Sequence, residues 1–307
     1  MLHIINTKII LSAAVIIAAA AVIVGATFAF FSDTETSTAN TFAAGELDLK
    51  VDNTSYAIDR NIPGFNNPTG AFVANPNNSW TLKDLTVEKF FNFIDVKPGD
   101  YGEDTISLHV NTNDSWLCAA AQITSDLDNS FTEPEDEVFG TNTDSNDGTP
   151  DGDLDSAINF AFWADDGDNV LEVGENIFLN GPVSGLNTAG KIALADSNGG
   201  PFGPGPIAGN TTKYIGKGWC FGTLTPNPLA QDNQNTDGPI APNRVGTGFT
   251  CDGSAEGNIA QTDSVTGDLQ FFVVQSRNNP NFTCSGGYNP VWPSVTPPQQ
   301  EVAPENT

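Results

Sequence analysis

Apolar and polar residues change their rhythm along this 307-residue chain. Residues 9–31, IILSAAVIIAAAAVIVGATFAFF, carry no charge, and Lys8 stands just before them. That run is long enough to span a bilayer as a helix, which takes about 20 residues. Beyond it the rhythm becomes period two. ELDLKVD (46–52) places Leu47, Leu49 and Val51 on one face, and TISLHV (105–110) does so with Ile106, Leu108 and Val110. AINFAFW (157–163) aligns Ile158, Phe160 and Phe162, and GDLQFFVVQS (267–276) aligns Leu269, Phe271 and Val273. EKFFNFIDV (88–96) and the small-residue run WLCAAAQIT (116–124) also read as strands, and KPGD (97–100) as a turn. Alternation bounded by turn residues predicts half-buried strands, and several such runs predict an all-β sandwich.

The intervals between strands are uneven. Residues 125–156 are acidic, 196–210 are rich in Gly and Pro, and 226–266 hold few strand signals. They read as loop insertions on one sandwich. A short helical piece is expected around 187–195. The end, NPVWPSVTPPQQEVAPENT (289–307), is Pro-rich and predicts an extended or disordered tail.

Charge narrows the function classes. Against 38 acids stand 11 bases, a formal net charge of −27. Such a surface repels nucleic acid and anionic lipid, so no nucleic-acid partner is expected. It attracts divalent cations, although adaptation to high salt would explain the acidity equally well. Cys118, Cys220, Cys251 and Cys284 make an even set past the leader, the signature of two disulfides in an exported protein. Three pairings are open, with Cys220–Cys251 favoured because the two bracket one loop. The five Trp are dispersed, and Trp116, Trp163 and Trp219 are expected in the core.

The densest acidic motif is ADDGDNVLEVGE (164–175), with Asp165, Asp166, Asp168, Glu172 and Glu175. Calcium takes six to eight oxygen ligands, and carboxylates with backbone carbonyls supply them. DSNDGTPDGDLD (144–155) adds a weaker candidate through Asp144, Asp147, Asp151, Asp153 and Asp155. Neither stretch fits the EF-hand spacing. The bland alternative for the first is a tight hairpin turn at Asp166-Gly167 with solvated acids.

Three stretches in this order resemble the TasA/camelysin family of exported proteins. The apolar leader runs into FAFFSDTETSTANTFAAGELDL; KPGD then precedes an alternating strand and NDSWLCAAAQIT; and YIGKGWCFGTLT (214–225) precedes GNIAQTDSVTGDLQFFVVQSRNNPNFTC (257–284). The resemblance implies a jelly-roll-like antiparallel β-sandwich and a leader cut by a SipW-type signal peptidase. Thr27 and Ala29 suit the −3 and −1 positions of a cleavage site, whereas Phe30 is a poor −1 residue, so cleavage between Ala29 and Phe30 is expected. An uncleaved leader would instead be the one link to a membrane. In fibre-forming members the resemblance also implies a mature N-terminal segment that completes a neighbour's sheet. Here Phe31, Thr34, Thr36, Thr38 and Phe42 are suited to such a donor strand, since β-branched residues at period two favour extended backbone.

The camelysin name implies a metallopeptidase, but the chain has no H-E-x-x-H, and His109 is its sole histidine beyond the leader's His3. A catalytic zinc usually needs two or three histidines. The expected organisation is a signal peptide over 1–30, one sandwich domain over 31–289 with a donor strand at 31–45, and a tail over 290–307. The expected function is a secreted, non-enzymatic subunit of an extracellular fibre or biofilm matrix. It would polymerise head to tail with itself, with calcium assisting. The alternatives are a monomeric surface-binding module and, less favoured, a camelysin-type metallopeptidase.

Overall fold

The computed structural model describes residues 47–129, 152–231, 239–241 and 244–292. The leader, the Ala29–Phe30 cleavage site, the donor-strand residues Phe31, Thr34, Thr36, Thr38 and Phe42, and Asp144, Asp147 and Asp151 lie outside them. Among the described residues no helix is long and apolar enough to cross a membrane.

Period-two segments become strands wherever a neighbouring strand accepts their backbone. These are β1 (Asp48–Ile58), β2 (Phe72–Ala74), β3 (Trp80–Lys83), β4 (Tyr101–Asn111), β5 (Ser115–Leu127), β6 (Ile158–Asp165) and β7 (Asn176–Pro182). After them come β8 (Lys191–Ala195), β9 (Thr211–Phe221), β10 (Thr223–Pro226), β11 (Ile240–Ala241), β12 (Arg244–Val245), β13 (Phe249–Asp252) and β14 (Ser264–Gln275). Three four-residue helical turns are α1 (Leu154–Ala157), α2 (Leu186–Ala189) and α3 (Cys284–Gly287).

The large sheet runs β2-β1-β4-β9-β6-β7, with β3 also on β1, and the small sheet runs β14-β5-β8. Every ladder is antiparallel. The links β4 to β5, β5 to β6, β7 to β8, β8 to β9 and β9 to β14 each pass from one sheet to the other. This repeated crossing is jelly-roll winding. Between the sheets lies an apolar layer that includes Leu49, Val51, Ile106, Leu108, Phe160 and Phe162 from one side and Leu117, Leu194, Leu269, Phe271 and Val273 from the other. Trp116, Trp163 and Trp219 are all buried.

Two expectations are corrected. Residues 88–96 form no strand and bend at Phe90 and at Asp95, where φ is +51°. Side chains rather than a neighbouring strand take their backbone: Asn78 Nδ2 donates to Lys89 O (2.7 Å) and Lys217 Nζ to Phe90 O (2.8 Å). Helical structure near 187–195 stops at α2, because Gly190 takes φ +61° and Lys191–Ala195 pairs with β5 as β8. KPGD forms its turn, with Asp100 N donating to Lys97 O (2.8 Å) and Gly99 at φ +88°. The Asp100 carboxylate then gathers Asn61 Nδ2 (3.0 Å), Lys97 N (2.9 Å) and the Arg60 guanidinium.

The disulfides are Cys118–Cys284 and Cys220–Cys251. The first ties α3 to β5, and the second ties the β10–β13 hairpin to β9.

Candidate functional site

The outer face of the large sheet carries a second layer in which Trp163, Leu171 and Phe249 pack together. β9 admits the rings because two of its outward positions are glycines. A Cβ on Gly216 would collide with the Trp163 indole, and one on Gly218 with the Phe249 ring.

Leu171 belongs to the acidic connection between β6 and β7. Val170 and Leu171 are buried, and Leu171 exchanges backbone hydrogen bonds with Thr247 O (3.0 Å) and Leu229 N (3.0 Å). The β6–β7 ladder closes at Ala164 opposite Asn176, so the connection is a long loop folded back onto the sheet and not a tight turn at Asp166-Gly167.

This folding gathers the acids. Carboxylate oxygens of Asp165, Asp166 and Asp168 lie within 4.8 Å of one another, as do those of Asp166, Glu172 and Glu175. Glu175 also braces the loop by accepting from Asp166 N (3.0 Å) and Glu172 N (2.7 Å). Asp165 accepts from Trp163 Nε1 (3.0 Å) and Gly167 N (3.1 Å). Thr105 Oγ1, on β4 beneath the loop, lies 3.1 Å from Asp165 Oδ2 and 2.9 Å from Asn169 Oδ1. Burial pushes the Asp165 carboxyl up to about 6 against the pull of Trp163 and Thr105. Burial, and then the charges of Asp165 and Asp166, push Glu175 up to about 9.

One further acid, outside these two groups but close in charge to them, does not stand out in the sequence. Glu103 of β4 points to the same outer face as Thr105 and is 0% exposed. Among the described residues neither of its carboxylate oxygens has a hydrogen-bond partner. Burial holds this carboxyl well above the usual range, and the charges of Asp165, Asp104, Asp168 and Glu175 add to the effect. Of the weaker candidate, the described Asp153 and Asp155 are in neither group. Asp153 N donates to Asp263 Oδ2 (2.7 Å) at the start of α1, and Asp155 bonds Ser156 Oγ (3.0 Å).

The opposite face of the same strands holds a different polar group. Asp104 and Lys217, paired across β4 and β9, form an ion pair in which both side chains are 0% exposed. Lys217 Nζ also donates to Phe90 O and sits 3.5 Å from the centre of the Phe91 ring. Burial draws Lys217 down and Asp104 up, each opposed by the other's charge.

A third feature is the edge of the small sheet. Among the described residues β14 pairs with β5 alone. Beside it, between the sheets, opens an apolar crevice of about 320 Å³ lined by Phe91, Phe93, Ile158, Phe160, Val265 and Leu269, among others.

A family profile described as camelysin metallo-endopeptidase matches residues 5–175, just over half of the chain. The chain belongs to the camelysin family. No curated protein matches it. The camelysin description implies a catalytic metal, and the described residues do not fit a zinc peptidase centre. His109 is the histidine among them, and its ring nitrogens lie 2.9 Å from Asp52 Oδ2 and 3.0 Å from Thr212 Oγ1. The acids that do converge offer only oxygen. That donor set suits a hard cation such as calcium, magnesium or manganese rather than zinc.

Proposed function

We propose that this camelysin-family chain is a secreted structural subunit of an extracellular fibre or biofilm matrix. It polymerises head to tail, each copy donating residues 31–45 to the small sheet of the next. The observation that carries the reading is the second edge of β14, unpaired among the described residues, beside an apolar crevice. A strand added there gains main-chain hydrogen bonds along β14, and its inward side chains, such as Phe31 or Phe42, have a crevice to fill. An open edge also invites uncontrolled pairing, and a donated strand closes it. Because the donor and acceptor surfaces differ, the contact is heterologous and builds an open filament. Calcium held by the acids of residues 165–175 tightens the loop on each subunit.

The test is to determine the N-terminal residue of secreted material by intact mass, then to image it by negative stain with and without residues 30–45. Filaments from the full mature chain, lost on deletion, are expected. Filaments that survive the deletion, or monomers in both cases, would sink the reading. The metallo-endopeptidase activity in the family description is tested separately by chelator-sensitive casein cleavage, and none is expected.

A further inference from the structure

A cluster of acids on a loop is ordinarily solvated. Glu103 makes this cluster different, because it belongs to the sheet and not to the loop. It stands on β4 opposite Gly218 of β9 and is wholly shielded from solvent, and among the described residues neither carboxylate oxygen has a partner. Its neighbours in charge are Asp165, Asp168 and Glu175 of the loop above. A buried carboxylate without a donor or a counter-charge is among the most costly groups a fold can contain. The loop brings further negative charge near it, so the neighbouring acids deepen the cost and do not relieve it.

We propose that Glu103 is the inner ligand of a calcium site completed by Asp165, Asp166, Asp168, Glu172 and Glu175, so that the ion bolts the β6–β7 loop to β4. This rests on the reading that loop 165–175 binds a cation and adds a ligand from the sheet. The ligand chemistry fits. Calcium accepts six to eight oxygens in flexible arrangements, and neutral oxygens of Thr105 and Asn169 stand beside the carboxylates. Magnesium, which demands an octahedral shell and keeps its waters, is expected to bind more weakly in so crowded a set. The dication also reverses the logic of the site. Carboxylates that repel one another without it become mutually compatible with it.

The experiment uses the full secreted protein, its E103Q variant and its D166N variant. Thermal unfolding is followed in EDTA, CaCl2, MgCl2 and ZnCl2. Terbium luminescence excited through tryptophan gives a second readout, since the Trp163 indole donates to Asp165 Oδ1. For the wild type, calcium should raise Tm by on the order of 5 °C over EDTA, with a smaller effect of magnesium. E103Q keeps the shape of the side chain and removes the charge. It should fold with an EDTA Tm at or above that of the wild type, yet bind calcium about tenfold or more weakly. D166N should also lose affinity. If E103Q binds calcium as tightly as the wild type while D166N does not, the ion belongs to the loop alone and the role of Glu103 is overturned. If the wild type shows neither a calcium shift nor terbium emission, the loop reading falls with it. Fibre formation is judged by microscopy and stands or falls apart from either result.

Discussion

Glu103 and Asp104 are consecutive residues of β4, both acids and both fully buried, yet they occupy opposite circumstances. Strand alternation sends Asp104 to the inner face, where Lys217 meets it and Asn53 Nδ2 donates to its other oxygen (3.3 Å). It sends Glu103 to the outer face, where further acids meet it. The first is a complete polar group, satisfied from within the chain. The second has no hydrogen-bond partner among the described residues. Burial by itself therefore says little about a carboxylate; the identity of its partners says what it is for.

The comparison can be broken most forcefully from the lysine side. Lys217→Ala leaves Asp104 buried without its cation and should cost about 3–5 kcal/mol, measured by denaturant unfolding. A Lys217→Met/Asp104→Leu double variant should recover much of that loss, because it removes both charges together. Next comes the direct contrast between neighbours. In EDTA, Asp104→Asn should destabilise by about 3 kcal/mol, since it strands Lys217, whereas Glu103→Gln should cost nothing or stabilise. Equal losses for the two would erase the distinction drawn here.

A third carboxylate sharpens the point at the protein's edge. Burial pulls the Glu88 carboxyl upward, but the Lys83 ammonium and the amides of Thr86 and Val87 outweigh it and hold it at about 2. Its folded value lies below the ordinary 4.5, so its contribution is whole above about pH 4.5 and disappears as pH falls through about 2. Glu88→Gln should thus cost about 1–2 kcal/mol at pH 7, discounted because Lys83 is partly exposed. The cost should shrink towards zero when unfolding is followed down to about pH 2. The smallest effect is expected for Thr105→Val, which removes one hydroxyl from beneath the acid loop and should cost about 1 kcal/mol in EDTA.

Much of the architecture was legible in the order of residues. Leu49 and Val51, Ile106 and Leu108, and Phe160 and Phe162 face the core as their alternation predicts, and Cys220 joins Cys251. The sequence FNF of residues 91–93 misled because apolar alternation reports burial, not pairing; those rings seal the sandwich while Lys217 and Asn78 take the nearby carbonyls. The acids of 165–175 were visible as a candidate, since they are close in sequence. Glu103 was not, because an acid at an outward strand position ordinarily meets water. Phe249 lies over Gly218, the residue paired with Glu103, and Leu171 packs with Phe249, so that face is covered by residues far apart in the chain. Two glycines flanking Lys217 in GKGW were the available hint, since alternate glycines on a central strand announce that bulk from elsewhere lies above. Asn53-Thr54-Ser55 has the form of a glycosylation sequon, but the Asn53 side chain is buried and its amide donates to Asn78 O (2.6 Å), which closes it to a glycan.

The Cys118–Cys284 bond has a mechanical consequence. It joins β5 to the segment just past β14 across a sequence separation of 166. If one subunit is pulled through its N-terminal end while the next strand tugs on β14, tension travels from β1 through β4 to Cys118. It then crosses the sulfur bridge and reaches β14 through the short stretch from Gln275 to Cys284. Strands β6 to β9, with the acid loop between them, lie off that path. In a subunit loaded this way the covalent path is a short sulfur-linked spine, and the loop of residues 165–175 lies outside it.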